Sequence, residues 1–212
     1  MYQYNPNPQG IEQESFRQIR ELTDLNAFDR DGQQAVMRVV HSLGDPSVAQ
    51  HIRISSNACR AGRRALADDK AILCDVEMVK QGITKRMIKR EPLCYLNHTD
   101  TAGLAKQAGE TRSMAALQLW GDDLAGSVVV IGNAPTALFR LLEMIRQGTA
   151  APALIVGIPV GFVGAAESKQ ALWDEHQELG IECITLLGRQ GGSAAASSVV
   201  NALLRCNIGE YY

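Results

Sequence analysis

Apolar residues in the first third of the chain recur mainly every three or four positions, a spacing typical of amphipathic helices. The pattern predicts helices over 11–25, 29–44 and 57–67 and a short strand over 48–54. Gly44 followed by Pro46 marks the end of the second helix, because glycine adopts the left-handed conformation easily and proline cannot continue a helix. We therefore expect residues 1–68 to be mostly helical.

From residue 69 onward, short apolar runs alternate with helical stretches. The runs predict five strands, over 71–74, 93–96, 127–131, 153–158 and 181–187. The segments that follow them predict helices over 75–82, 101–120, 135–147, 165–179 and 193–205. This alternation is typical of a parallel sheet with helices on both faces. The predicted fold class is α/β, a flavodoxin-like three-layer α/β/α sandwich with a five-stranded parallel sheet and an N-terminal helical extension, forming a single domain over 1–212.

Three of the predicted strands end in glycine-containing turns that lead into helices. The turns lie in GNAPTALF at 132–139, in GIPVGFVGAAESK at 157–169 and in the segment 188–193. The first N–H groups of a helix have no partner within it, and glycine lets a ligand approach the backbone closely. The turns therefore predict an anion-binding edge with these candidates: Gly132, Asn133, Thr136, Gly161, Gly164, Gly191 and Gly192. A purely structural turn needs the same residue types for its dihedral angles alone.

Composition and charge narrow the classes of function. The chain has 212 residues, is 46% hydrophobic and carries a formal net charge of −2, which does not indicate a nucleic-acid binder. It has no apolar run of the roughly 18 residues that span a membrane, and its polar first ten residues do not resemble a signal peptide. The five cysteines form no CxxC pair and the four histidines are scattered, so we expect reduced thiols and no protein-held metal. A cytoplasmic protein is the expectation.

His41 is the candidate proton donor, because it lies near the C-terminal end of a predicted helix, where the helix dipole favours an imidazolium. It directly follows Val39 and Val40, so we expect a buried or half-buried ring. The alternative is a histidine with only a structural role, which is the more common case for an isolated histidine.

Two groups of cations are candidates for holding an anionic ligand. Arg112 stands in the first turn of a helix, against the helix dipole, which suggests that it faces an anion. Its alternative is a surface arginine beside a capping Thr111. The other group is the basic run Lys85, Arg86, Lys89 and Arg90, which either grips carboxylates or phosphates or simply solvates a surface. No Walker, GxGxxG or Ser-His-Asp spacing is present, so neither a nucleotide site nor nucleophilic catalysis is indicated.

Six motifs together resemble the precorrin-8X methylmutase family of cobalamin biosynthesis, which includes enzymes for cobalt-precorrin-8. They are IEQESF at 11–16, RVVHSLGD at 38–45, DVEMVKQGI at 75–83, TRSMAAL at 111–117, GNAPTALF and GIPVGFVGAAESK. The resemblance covers most of the chain, and the last two motifs are the most specific. It implies a flavodoxin-like homodimer with the substrate near the subunit interface.

The reaction that the resemblance implies is an isomerisation, in which a methyl group moves from C11 to C12 of a corrin-type macrocycle by a 1,5-sigmatropic shift. The product is hydrogenobyrinate or its cobalt form, and no redox cofactor or methyl donor takes part. His41 matches the family's catalytic histidine, while Ser15, Thr84 and Arg112 match residues around it. The substrate carries many carboxylates, so we expect Arg86, Arg112 and the three glycine turns to bind them.

Other classes of function remain open from sequence alone. The chain is alternatively a non-catalytic tetrapyrrole carrier, or a flavin- or nucleotide-binding protein of the same fold class. The sequence does not distinguish a cobalt-free from a cobalt-containing substrate, because the metal belongs to the macrocycle. Hand-over of a retained product to another enzyme of the pathway is a further expectation, based on the many carboxylate contacts.

Overall fold

The computed structural model describes residues 2–212 and contains one sheet of six strands. In chain order the strands are β1 (Ile52–Ile54), β2 (Ile72–Cys74), β3 (Leu93–Cys94), β4 (Val128–Ile131), β5 (Leu154–Gly157) and β6 (Cys183–Leu186). Their order across the sheet is β1-β6-β5-β4-β2-β3. Strands β2 to β6 run parallel, and β1 is antiparallel to β6. The sheet is therefore mixed.

Helices cover both faces of this sheet. They are α1 (Pro8–Leu22), α2 (Arg30–Leu43), α3 (Ala58–Ala67), α4 (Glu77–Gly82), α5 (Thr101–Ala108), α6 (Arg112–Leu117), α7 (Pro135–Arg146), α8 (Ala165–Glu175) and α9 (Ser193–Asn207). One layer contains α2, α3, α4 and α9, and the other contains α6, α7 and α8. Helix α1 packs against α2, outside the first layer.

The central strands are apolar on both sides, as a sheet between two helical layers requires. Val128 and Val130 of β4 belong to the core on the side of α2 and α9, while Val129 and Ile131 belong to the core on the side of α7 and α8. All four side chains are fully buried. The continuous run of Val and Ile at 128–131 was therefore a sound basis for predicting a central strand.

The prediction of a five-stranded parallel sheet is wrong for the sheet as a whole: the five predicted strands are present and parallel as β2 to β6, but β1 joins them as a sixth, antiparallel strand. Pro46–His51 forms a 3-10 helix that Asp45 caps, and only Ile52–Ile54 remains of the strand predicted over 48–54. That short strand turns alongside β6, where Ile52 pairs with Leu186. The sequence pattern identified an extended segment here, but nothing in the pattern specified which strand it pairs with or in which direction.

The helix predicted over 101–120 is also wrong as a continuous element. Gly109, with φ of +66°, ends α5, and the Thr111 hydroxyl accepts the Met114 N–H at 3.2 Å to begin α6. A further 3-10 segment, Gln118–Leu124, follows α6. The remaining predicted helices and strands are present, with ends displaced by a few residues. Among residues 2–212, no helix combines the length and apolarity needed to cross a membrane.

Candidate active site

A buried carboxylate occupies the point where the strand order reverses, between β2 and β4. Asp75 follows β2 directly and is 2% exposed. Its oxygens accept the N–H groups of Gly132 at 3.1 Å, Asn133 at 2.8 Å and Ala134 at 2.8 Å, which lie at the start of α7. Ligands of open α/β sheets commonly bind at this point of the fold. Here the chain's own carboxylate accepts the N–H groups of the turn that precedes α7.

This contact corrects the expectation that the Gly132 turn offers its N–H groups to a ligand. Burial raises the pKa of the Asp75 carboxyl, and the three N–H donors act in the opposite direction. Sequence reasoning treated Asp75 only as the start of a helix. Its position at the end of the strand next to β4 was the signal that connects it with this turn.

Gly132 has a packing role in addition. A Cβ atom at this position would lie 2.7 Å from Val79 Cγ2 and 2.8 Å from the Ser193 Cα atom. The missing side chain therefore lets α4 and the start of α9 pack directly against the turn. The two polar candidates of the same turn remain at the surface: Asn133 is exposed, and the Thr136 hydroxyl lies 3.0 Å from the Thr111 hydroxyl.

The turns after β5 and β6 are joined to each other. The Gly161 N–H donates to the Arg189 carbonyl at 3.2 Å, and the Gly192 N–H donates to the Ile158 carbonyl at 2.9 Å. Gly164 and Gly192 precede α8 and α9, and no side chain among residues 2–212 caps either helix. These two helix N-termini therefore keep N–H donors for an anion, whereas the donors that Asp75 accepts lie in the turn before α7.

The tip of the β5–α8 turn is apolar and open to solvent. Phe162 is 86% exposed and Val163 is 89% exposed. A flat, partly apolar ligand requires an apolar contact surface beside its polar partners. This tip provides one next to the donors of α8.

His41 lies in the last turn of α2, and its ring is exposed, so the expectation of a buried or half-buried ring is wrong. Val39 and Val40 point into the core, but the next residue of a helix is rotated by about 100° and here faces outward. The His41 ring stacks on Phe16, with 5.3 Å between centroids and 16° between planes. Ser15, which precedes Phe16 on α1, is half-buried and belongs to the same helix pair.

Thr84 is held against α9. Its N–H donates to Asn201 Oδ1 at 2.8 Å, and Asn201 Nδ2 donates to the Gly82 carbonyl at 2.9 Å. Helices α2 and α4 both pack on α9, so His41 and Thr84 belong to the same helical layer. Ser15 lies on α1, which packs against α2 outside this layer.

Most of the basic run is paired with acids at the surface. Lys85 lies 3.7 Å from Glu91, Lys89 lies 3.0 Å from Asp69, and Arg90 lies 2.9 Å from Asp123. Arg86 is exposed and has no ion-pair or hydrogen-bond partner within residues 2–212. Arg86 is therefore the cation of this run that is available to a ligand.

Arg112 is separated from His41 by the sheet. It begins α6, in the opposite helical layer, and its Nη2 donates to the Leu96 carbonyl at 2.7 Å and to Asn97 Oδ1 at 2.8 Å. Five of the surface grooves among residues 2–212, of about 180 to 550 Å³, are lined by none of the predicted site residues. His41 and Arg112 lie in different helical layers of the chain.

Sulfur and metal chemistry are not apparent in the described part of the chain. Its five cysteines are free, and burial raises the pKa of Cys59 and of Cys183 to about 12. No group of three or more His, Cys, Asp or Glu side chains among residues 2–212 is arranged to hold a metal ion.

Comparison with known proteins decides the family. A family model described as precorrin-8X methylmutase matches residues 10–206. The chain belongs to the precorrin-8X methylmutase family. It is 46% identical over 205 residues to a precorrin-8X methylmutase of Pseudomonas aeruginosa, covering 96% of this chain and 98% of the relative. It is 38% identical over 210 residues to a cobalt-precorrin-8 methylmutase of Salmonella typhimurium, covering 95% and 96%.

A solved structure of a precorrin-8x methylmutase from Thermus thermophilus is similar over 95% of this chain and 97% of that one. The TM-score is 0.84 and the sequence identity is 33%. The family predicted from the six motifs is thereby confirmed. This methylmutase is an isomerase of cobalamin biosynthesis.

Proposed function

We propose that this methylmutase converts precorrin-8x into hydrogenobyrinate by moving a methyl group from C11 to C12 of the macrocycle. The higher identity to the Pseudomonas aeruginosa relative, 46% against 38% for the Salmonella typhimurium relative, supports the cobalt-free substrate. A sigmatropic shift needs no nucleophile, no redox cofactor and no methyl donor. In keeping with this, Asp75 already accepts the N–H groups of the turn between β4 and α7, so these donors are not free to bind a nucleotide phosphate.

The observation that carries the proposal is the exposed His41 ring at the C-terminus of α2. The ring stands in the last turn of α2, and the Phe16 ring stacks against it. A proton donated to the conjugated macrocycle makes the framework around the migrating methyl group more electron-poor, which lowers the barrier to migration. His41 is the general acid in this mechanism.

The remaining candidates bind the carboxylate arms of the substrate. Ser15 and Thr84 flank His41 and orient the ring, while Arg86 and Arg112 supply charge. The N–H donors beside Gly161, Gly164, Gly191 and Gly192 bind carboxylates at the starts of α8 and α9. Asn133 and Thr136 contribute through their side chains, since Asp75 holds the backbone of their turn.

A second copy of the chain completes the site in this proposal. His41 is exposed, and Arg112 lies in the other helical layer. A substrate as large as a tetrapyrrole requires walls on more than one side, and a second chain supplies them in this arrangement. A homodimer with the substrate at the interface meets that requirement.

The test is a comparison of His41→Ala with the wild type, using the absorbance change from precorrin-8x to hydrogenobyrinate. We expect turnover to fall by about 10²- to 10⁴-fold, the usual contribution of a general acid, while binding changes little. His51→Ala is the matched control, because His51 is also an exposed histidine at the end of a helical segment, and it should behave as the wild type.

Two results would contradict the proposal. Full turnover by His41→Ala would remove the histidine from the mechanism. A wild-type protein that binds precorrin-8x and cobalt-precorrin-8 but converts neither would instead be a carrier. Conversion of the cobalt form alone would reassign the substrate and leave the role of His41 in place.

A further inference from the structure

Lys169 is a buried lysine that has no carboxylate partner in the described part of the chain. It lies on α8, its side chain is 0% exposed, and its Nζ donates to the Gln190 carbonyl at 2.5 Å. Burial is the single cause that lowers its pKa, to about 8, so no charged neighbour offsets the burial. Burying an uncompensated ammonium is costly, and a protein retains such a group where it serves a specific interaction.

The group that Lys169 holds is the turn between β6 and α9. Gln190 lies in this turn, which also bonds to the β5–α8 turn through the Gly161 and Gly192 N–H groups. Gly191 is packed so closely that a Cβ atom would lie 2.5 Å from the Ile158 carbonyl oxygen. The lysine therefore fixes, from the interior, the turn that leads into the open N-terminus of α9.

The same turn contacts the end of α2. The Gln190 side-chain Nε2 donates to Asp45 Oδ2 at 3.4 Å. Asp45 follows Gly44, the left-handed residue that ends α2, and it stands four residues after His41. One residue, Gln190, thus accepts from Lys169 through its backbone and donates to the α2 terminus through its side chain.

We propose that Lys169 is a positioning residue for the methyl migration, and that it acts through Gln190 and Asp45 to fix His41 relative to the N-terminus of α9. The inference rests on the proposed function, in which His41 protonates the macrocycle and α9 binds one of its carboxylates. A proton donor and a substrate anchor on separate elements require a fixed separation, because small errors of position lower the rate strongly.

Charged side chains occur on α8, on α7, which packs against it, and near the β6–α9 turn. They are Glu167, Asp174 and Glu175 on α8, Arg140, Glu143 and Arg146 on α7, Arg189 in the turn, and Asp45 and His41 at the end of α2. None of them contributes to the lowered pKa of Lys169. The contact with the Gln190 carbonyl is therefore the polar interaction through which Lys169 acts.

The experiment compares Lys169→Met, Gln190→Ala and the double variant, with steady-state kinetics on precorrin-8x. Lys169→Met keeps the length of the side chain and removes its charge. Gln190→Ala changes an exposed residue and keeps the carbonyl, so it preserves the fold. Lys106→Met is the matched control, because Lys106 is an exposed lysine on α5, remote from this link.

We expect Lys169→Met to lower kcat at least about tenfold with a KM within about threefold, and Gln190→Ala to lower kcat to a smaller extent. The double variant should lose no more than Lys169→Met, since both changes break one link. Lys106→Met should match the wild type. A Lys169→Met protein that melts at a lower temperature but keeps the wild-type kcat would overturn the inference, and so would additive losses in the double variant.

Hydrogen exchange measured on the ligand-free protein tests the link from Lys169 through Gln190 to Asp45 independently of catalytic activity. Lys169→Met should accelerate exchange in both 188–192 and 42–47, and Gln190→Ala should accelerate it in 42–47. Unchanged exchange in 42–47 in both variants would overturn the link even if the enzyme is active. Faster exchange together with a wild-type protein that converts no substrate would leave the link standing and remove the proposed function.

Discussion

At the scale of single residues, Asp75 determines which backbone donors of the three glycine turns remain available to a ligand. Three turns looked equivalent in the sequence, because each combined glycine with the start of a helix. Asp75 takes the donors of the turn at 132–134, while the helices that follow Gly164 and Gly192 have no side-chain cap in residues 2–212. A carboxylate from a neighbouring strand cannot be assigned to a turn before the strand order is known.

His41 illustrates a related limit on sequence reasoning. Its motif identified it as the catalytic candidate, but its local neighbours, Val39 and Val40, suggested burial. The ring is exposed because one helical step moves it away from the core, and the Phe16 ring supplies the apolar contact instead. That support comes from α1, and no spacing within one helix reveals a contact between two.

Lys169 predicts a pH dependence of stability whose sign follows from its lowered pKa. The folded-state pKa is about 8 and the reference value is 10.5, so the unfolded state binds more protons between these values. The free energy of unfolding of the wild type, relative to Lys169→Met, should therefore rise with pH from about 8 towards 10.5 and stay constant below that window. Urea unfolding of both proteins from pH 6 to pH 10 measures this difference in the free energy of unfolding and the direction in which it changes with pH. A constant difference across this range would show that Lys169 titrates normally.

At the scale of elements, close packing between helices and turns explains why some glycines are required and others are not. Gly132 leaves no room for a Cβ atom between Val79 and the start of α9, whereas Gly103 on α5 has no atom within 4 Å of that position. Gly132 lies in a turn and Gly103 in a helix, and their surroundings predict opposite effects of an added methyl group.

Gly132→Ala and Gly103→Ala form a matched pair that tests this contrast. Gly132→Ala should lower the free energy of unfolding by about 1–3 kcal/mol, because the added methyl group must displace α4 or α9. Gly103→Ala should raise it by about 0.4–1 kcal/mol, since alanine loses less backbone freedom in an exposed helix. Chemical denaturation of both variants provides the values. Equal effects at the two positions would show that Gly132 is not tightly packed.

Much of the element pattern could be predicted from local sequence. Buried runs such as 128–131 and helix starts such as Pro135 depend on neighbours in the chain, and those elements are present. The helix break at Gly109 depended on competing local signals. Strand β1 depended on a distant partner strand. The direction of β1 is set by its pairing with β6, about 130 residues later, and no periodicity within 48–54 encodes it.

At the scale of the whole molecule, the candidate site is divided between the two helical layers. Ser15, His41 and Thr84 lie on the side of α9, and Arg112 lies on the side of α7. The motifs identified these residues separately, but their distribution over the surface appears only in three dimensions. In the proposed homodimer, we expect a complete site to combine His41 of one protomer with Arg112 of its partner.

Mixing two inactive variants tests this arrangement. When His41→Ala and Arg112→Ala chains are co-expressed, half of the dimers should be mixed, and one of the two sites in each mixed dimer should be intact, giving about a quarter of wild-type turnover. Each variant alone should stay inactive, and the particle mass should be twice the 23.0 kDa of one chain. Activity that does not return in mixed dimers would place both residues in the same protomer's site.

The carboxylate at the strand reversal also bears on the conditions in which the enzyme works. Cells contain high concentrations of ATP and free phosphate, which compete for vacant helix N-termini in sheets of this type. Asp75 is covalently part of the chain and already accepts the N–H groups of the turn before α7, so it cannot be diluted or washed away. The macrocycle therefore meets an enzyme in which the three donors of this turn are closed to the abundant phosphates around it.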